Sequence, residues 1–185
     1  MIEKLCRWIL YRRMGWKKDV SEIHPDKYII CLAPHTSNWD FLIGQLYMRA
    51  EGMKINFMMK KEWFVGPLGT FLKNIGGIPV WRNKKSSLTD NLAETARNEK
   101  TFSLCITPEG TRSRNPEWKK GFYFIAKKAG IPILLYAVDY QKKLIRCTKT
   151  IVPDGDVEAQ MREIKLYYKD IKGKRPELFS IGAVS

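Results

Sequence analysis

The stretch Tyr28-Ile29-Ile30-Cys31-Leu32-Ala33-Pro34-His35-Thr36-Ser37-Asn38-Trp39-Asp40 decides the fold class. Its first six residues carry no polar break, the pattern of a strand buried on both faces. Pro34 closes that run. Ser37 then supplies an N-cap side chain, and a helix is predicted from it to about Ala50. A buried strand passing at once into a helix is the repeating step of an α/β domain.

The step recurs on either side. Strands are predicted over residues 55–59, 77–81, 102–106, 131–140 and 144–152, with helices over 87–98 and 120–129. A last helix spaces Val157, Met161, Ile164, Tyr168 and Ile171 four and three apart, which gives it one apolar face. No internal repeat, low-complexity segment or long linker interrupts the series. The expectation is a single α/β domain whose mixed, largely parallel sheet is flanked by helices. A chain of 185 residues can bury such a core without disulfides or metal.

Composition narrows the partners. Lys and Arg number 33 against 19 Asp and Glu, a net charge of +14. Such an excess needs an anionic partner: nucleic acid, an anionic membrane face or a phosphorylated substrate. Cys6, Cys31, Cys105 and Cys147 are scattered, with no C-x-x-C pair and only two histidines in the chain. That spacing supports neither a zinc site nor a disulfide framework, and it suits small buried thiols in a reducing cytoplasm. The longest unbroken apolar run, residues 131–138, is far short of the ~20 residues that span a bilayer. Arg7, Arg12 and Arg13 break any signal-peptide pattern.

Two polar clusters each follow a predicted strand, where open α/β sheets bind ligands. In the first, His35 is followed five residues later by Asp40. A carboxylate there can fix the imidazole tautomer, stabilise the imidazolium and leave the other ring nitrogen free to take a proton. The plainer reading is a helix cap beside a satisfied loop histidine. The second cluster is Thr107-Pro108-Glu109-Gly110-Thr111-Arg112-Ser113-Arg114. Glycine permits close backbone approach, and the hydroxyls with Arg112 suit a phosphate; the plainer reading is a solvated basic loop. A third element, Gly76-Gly77-Ile78-Pro79-Val80-Trp81-Arg82, is a strand ending in an arginine. The chain has no G-x-S-x-G elbow, no G-x-x-x-x-G-K-[ST] loop and no G-x-G-x-x-G fingerprint.

In this order the motifs resemble those of the glycerolipid acyltransferase family, which includes bacterial 1-acyl-glycerol-3-phosphate acyltransferases. The carrying residues are His35-Thr36-Ser37-Asn38-Trp39-Asp40, Gly76 through Arg82, Glu109-Gly110-Thr111-Arg112-Ser113 and Ile131-Pro132-Ile133. The similarity covers roughly residues 29–138. It extends to Lys61-Glu62-Trp63-Phe64, to Pro67 and Gly69, and to Lys120-Gly121. The family's fourth strand usually carries a second proline where this chain has Leu135, and Pro34 stands where asparagine is common.

The resemblance implies that His35 deprotonates an acceptor hydroxyl and that Asp40 orients it. It also implies that Arg82, Glu109, Gly110, Thr111 and Arg112 hold the acceptor's phosphate or glycerol end. The acceptor would be a phosphorylated lyso-lipid and the donor substrate acyl-CoA or acyl-carrier protein, with no cofactor and no metal.

Reaching such a lipid requires contact with a bilayer. Residues 1–18 combine Ile2, Leu5, Trp8, Ile9, Leu10 and Trp16 with six cations, a basic amphipathic helix suited to an anionic membrane surface. Its apolar face can equally pack on the core. The expected division is this helix, an acyltransferase domain over 19–172, and a loose basic tail over 173–185. The expected place is the cytoplasm, peripherally on the inner face of the cell membrane. Trp39, Trp63, Trp81 and Trp118 either line an acyl groove or fill the core. Nucleic acid is set aside, since no helix-turn-helix, RNP-like strand or zinc finger is present. Two alternatives stay open: a different lipid acceptor (an aminolipid or a lipid A-like intermediate), and a non-catalytic lipid-binding protein.

Overall fold

The computed structural model describes residues 1–80 and 85–183. Its eight-stranded sheet runs in the order β1-β7-β6-β2-β5-β3-β4, with β8 paired to β6 off that path. At its centre, β2 (Lys27–Ala33) lies between β5 (Phe102–Ile106) and β6 (Ile133–Asp139), parallel to both. Next to β5 come β3 (Asn56–Lys60) and β4 (Gly77–Val80), also parallel. Beyond β6, β7 (Leu144–Cys147) and β8 (Thr150–Ile151) pair antiparallel with it, and β1 (Lys17–Val20) runs along β7.

Alternation along the central strands divides the core in two. Ile29, Cys31, Leu104, Ile133 and Leu135 point to one face, under α4 (Lys85–Asn98), α5 (Gly121–Ala129) and α6 (Val157–Tyr167). Tyr28, Ile30, Leu134, Tyr136 and Val138 point to the other, under α1 (Ile2–Arg7), the π-turn Trp8–Arg13 and α2 (Asn38–Ala50). All seven residues of β6 are buried. A strand covered on both sides reads as an unbroken apolar run, which is how its sequence reads as far as Val138.

Several elements differ from expectation. The N-terminal helix stops at Arg13, and Lys17 and Lys18 belong to β1. Gly15, at φ +72°, turns the chain there, and the charged, exposed β1 is an edge strand that sequence periodicity does not reveal. Helix α3 (Gly66–Asn74) follows a 3₁₀ turn at Lys61–Trp63 and was not expected. Its glycines and proline read as loop signals, yet Pro67 sits in the first turn, where its missing N–H costs nothing. A Cβ at Gly69 would run into the Phe64 backbone. The strand expected over 144–152 is broken into β7 and β8.

The basic tail is not loose. Gly173 packs against Pro34 and Thr36, the Arg175 N–H donates to Thr36 Oγ1 (3.1 Å), and Trp118 Nε1 donates to the Ser180 carbonyl (3.0 Å). Cys6, Cys31 and Cys147 are buried, Cys105 partly so, and all four are free. No described helix is long and apolar enough to cross a membrane.

Tyr168, just past α6, is fully buried and donates its hydroxyl to the Cys31 carbonyl at 2.6 Å, clamping α6 to β2. Tyr168→Phe leaves that carbonyl with one partner fewer in a dry core. It should lower unfolding free energy by about 1–2 kcal/mol, measured by urea unfolding.

Candidate active site

Because β5, β2 and β6 are parallel neighbours, Ile106, Ala33 and Asp139 end at one edge of the sheet. Both polar clusters leave from that edge. After β2 the Ala33–Pro34 peptide is cis, and Ser37, in extended conformation, caps α2 by accepting the Trp39 N–H (3.2 Å). Asp40, in the first turn, completes a capping box: its Oδ2 accepts the N–H groups of Thr36 (2.8 Å) and Ser37 (2.9 Å). Its Oδ1 accepts the Tyr140 hydroxyl at 2.8 Å. This carboxylate is 1% exposed.

His35 Nδ1 lies 3.2 Å from Asp40 Oδ2. The ring N–H direction falls outside that of a formed hydrogen bond, and Nδ1 is otherwise buried without a partner. Distance decides here. Once the ring is protonated, its charge attracts the carboxylate at this separation whatever the donor angle. With Nδ1 buried, the side chain's remaining 15% exposure belongs to its other atoms. An imidazole held so can accept a proton on its open side while the carboxylate balances the resulting charge.

The second cluster meets the first through one bond. Glu109 is 3% exposed, and its Oε2 accepts the His35 backbone N–H at 2.8 Å. Burial raises the Glu109 carboxyl to about 8; the His35 hydrogen bond opposes this and the Asp40 charge adds to it. Gly110 has φ +66°, and a Cβ there would collide with the Lys119 side chain, which crosses the loop. Thr111 and Arg112 are exposed, with Thr111 Oγ1 accepting the Ser113 N–H (3.2 Å). The Asn115 side-chain amide ties the loop back to the Glu109 carbonyl at 2.8 Å.

Thus His35, Asp40 and Glu109 come into contact, and Gly110, Thr111 and Arg112 continue from Glu109 on the same loop. Arg82 and Trp81 lie outside the described residues. Of the other tryptophans singled out, Trp118 is core, while Trp39 and Trp63 are about half exposed.

Sequence reasoning missed three residues. Thr36 joins the motif to the tail, and Lys119 adds a cation over Gly110. Tyr140 braces Asp40; its ring meets Trp16 edge-on at 5.2 Å between centroids. Burial, then the Asp40 charge and hydrogen bond, hold the Tyr140 hydroxyl well above its ordinary pKa, so it stays a donor. The signal for Tyr140 was its position as the polar end of a buried strand.

Glu109 also yields a stability prediction. The unfolded chain releases this proton near 4.5 and the folded chain near 8, so the folded state holds the extra proton in between. That contribution is fully present below the unfolded value and is lost as pH rises through the folded one. Glu109→Gln keeps the acceptor without the charge. Relative to it, the wild type should lose stability between about pH 5 and about pH 8.5 in urea unfolding. Glu109→Ala, which leaves the His35 N–H unpaired, should cost about 1–3 kcal/mol.

Comparison with known proteins bears on this site. The family model described as Acyltransferase matches residues 17–138, from β1 nearly to the end of β6, a span holding both clusters. No curated protein matches the chain. Among solved structures, the crystal structure of the 1-acyl-sn-glycerophosphate (LPA) acyltransferase PlsC from Thermotoga maritima is similar, with a TM-score of 0.58. The two are 20% identical, and the match covers 93% of this chain and 80% of that one. At such identity the likeness establishes the fold alone. The family match spans more than half of the sequence and takes in His35, Asp40 and the Glu109–Arg112 loop, so the chain belongs to the acyltransferase family.

Proposed function

We propose that the chain transfers a fatty acyl group from acyl-CoA or acyl-carrier protein to the free hydroxyl of a lysophosphatidic-acid-type glycerolipid, a step of phospholipid synthesis. The 3.2 Å approach of His35 Nδ1 to a carboxylate already anchored by three donors carries this reading. His35 accepts the hydroxyl proton while the hydroxyl oxygen attacks the thioester carbonyl. The tetrahedral intermediate then collapses, the C–S bond breaks, and the leaving thiolate takes up the proton from the imidazolium. Asp40 positions the ring. Thr111, Arg112 and the Gly110 backbone, with Arg82, hold the acceptor's phosphate end; Glu109, expected among them, is buried against the His35 backbone and fixes that loop instead. Holding two substrates in attack geometry supplies much of the remaining barrier reduction.

Membrane contact is part of the same proposal. Cys6 and Leu10 of the N-terminal helical segment are buried against the body, and Trp16 beyond it is buried too. Ile2, Leu5 and Trp8 stay exposed among Lys4, Arg7 and Arg12. The segment therefore has one apolar side packed and a second free to enter the headgroup layer of the inner face of the cell membrane.

Turnover of lysophosphatidic acid with each thioester donor tests the reaction. His35→Ala should lower kcat by about 10²–10⁴-fold while leaving the circular dichroism spectrum unchanged. Wild-type turnover in that variant would remove the mechanism. A wild type that turned over only an aminolipid or a lipid A-like acceptor would move the reading to that acceptor.

A further inference from the structure

One concave surface near the site has no role in that mechanism. On the β6 side of the His35–Asp40 pair, a groove of about 850 Å³ opens between the N-terminal segment, the β6–β7 turn and the segment after α6. That volume lies within the range of small-molecule sites. Arg13, Lys143, Lys172 and Lys174 line it, and none of its lining residues is acidic. Asp139, beside it in sequence, is 1% exposed and turned into its own turn, accepting the N–H groups of Gln141 (3.0 Å) and Lys142 (3.1 Å).

The cations sit on fixed backbone. Lys143 Nζ donates to the Met14 carbonyl at 3.0 Å, and the Lys172 carbonyl accepts the Tyr140 N–H at 2.8 Å. Lys174 Nζ stands 5.6 Å from the Tyr140 ring centre and 5.9 Å from that of Trp39. Four like charges converging without a counter-charge raise the local potential, and a polyanion relieves it. The exposed Trp39 indole adds a flat face on which a planar ring can stack.

Position relates the groove to the reaction. Tyr140 lines it and its hydroxyl holds Asp40. The Arg112 loop leaves from β5, on the other side of β2. Two cationic regions therefore flank His35, one for each substrate of a transfer between two phosphorylated molecules. We propose that the groove binds the phosphate-bearing nucleotide end of a coenzyme A-type acyl donor, with its phosphates among Arg13, Lys143, Lys172 and Lys174 and its base against Trp39. The assignment rests on the acyl-transfer reading. The long, flexible arm of such a donor lets the thioester reach His35 while the phosphates stay on the β6 side. A membrane fits this surface less well: of the exposed large apolar side chains among the described residues, Trp39 alone lines the groove, and Ile2, Leu5, Trp8, Leu68 and Phe71 lie outside it.

Calorimetric titration of the full chain with free coenzyme A tests this without turnover. The wild type should bind, more weakly as salt is added, and Lys172→Glu/Lys174→Glu should weaken binding by about tenfold or more. Trp39→Ala should weaken it independently. Lys54→Glu/Lys100→Glu, an equal charge change near the amino ends of β3 and β5, should leave binding within about twofold of wild type. No binding by the wild type would overturn the proposal, as would unchanged affinity in the groove variants or an equal loss in the control pair. Reduced binding to phosphatidylglycerol vesicles with coenzyme A affinity intact would also overturn it, since the groove would then be a membrane contact. An inactive wild type whose coenzyme A binding still needs Lys172 and Lys174 would refute the acyl-transfer reading and leave the groove standing. An active enzyme indifferent to those lysines would do the reverse.

Discussion

The carboxylate of Asp40 is the point on which the site is assembled. It belongs to the first turn of α2 and satisfies two N–H groups that would otherwise be unpaired at that helix start, those of Thr36 and Ser37. The same group takes the Tyr140 hydroxyl from the end of β6 and lies beside His35 Nδ1. Helix cap, strand end and imidazole thus share one buried anion. Removing it would unpair donors in each of these places at once, so its structural and chemical roles cannot be separated by deletion alone.

A second carboxyl lies close enough to matter. Glu109 reaches the His35 backbone from the loop after the neighbouring strand, and burial raises its carboxyl to about 8. Two charged carboxylates in this dry corner would repel each other. A neutral Glu109 bridges the two loops without placing a second charge beside Asp40. The parallel order of β5, β2 and β6 makes the arrangement possible, because it delivers both loops and Tyr140 to the same edge.

Much of this was legible in the sequence. Buried parallel strands read as unbroken apolar runs, so β2, β5 and β6 and the alternating fold came through clearly. Ser37 and Asp40 announced a helix start, and the partners of that start are local. What depended on tertiary contact did not come through. β1 is an exposed, charged edge strand; α3 is built on glycines and a proline; the tail owes its order to Thr36 and Trp118. Glu109 had no local sign that its carboxyl turns inward to His35. Tyr140, a hundred residues from Asp40, becomes its partner only through sheet order.

His35 can act as the base only if Asp40 holds its neutral ring with the proton on Nδ1 and Nε2 bare. Nitrogen NMR of the imidazole in isotope-labelled protein, at a pH where the ring is neutral, observes this directly. The expected spectrum shows a protonated Nδ1 and an unprotonated Nε2, with that preference lost in Asp40→Asn. A proton found on Nε2 in the wild type would mean that no base faces the cleft, and the account would fail.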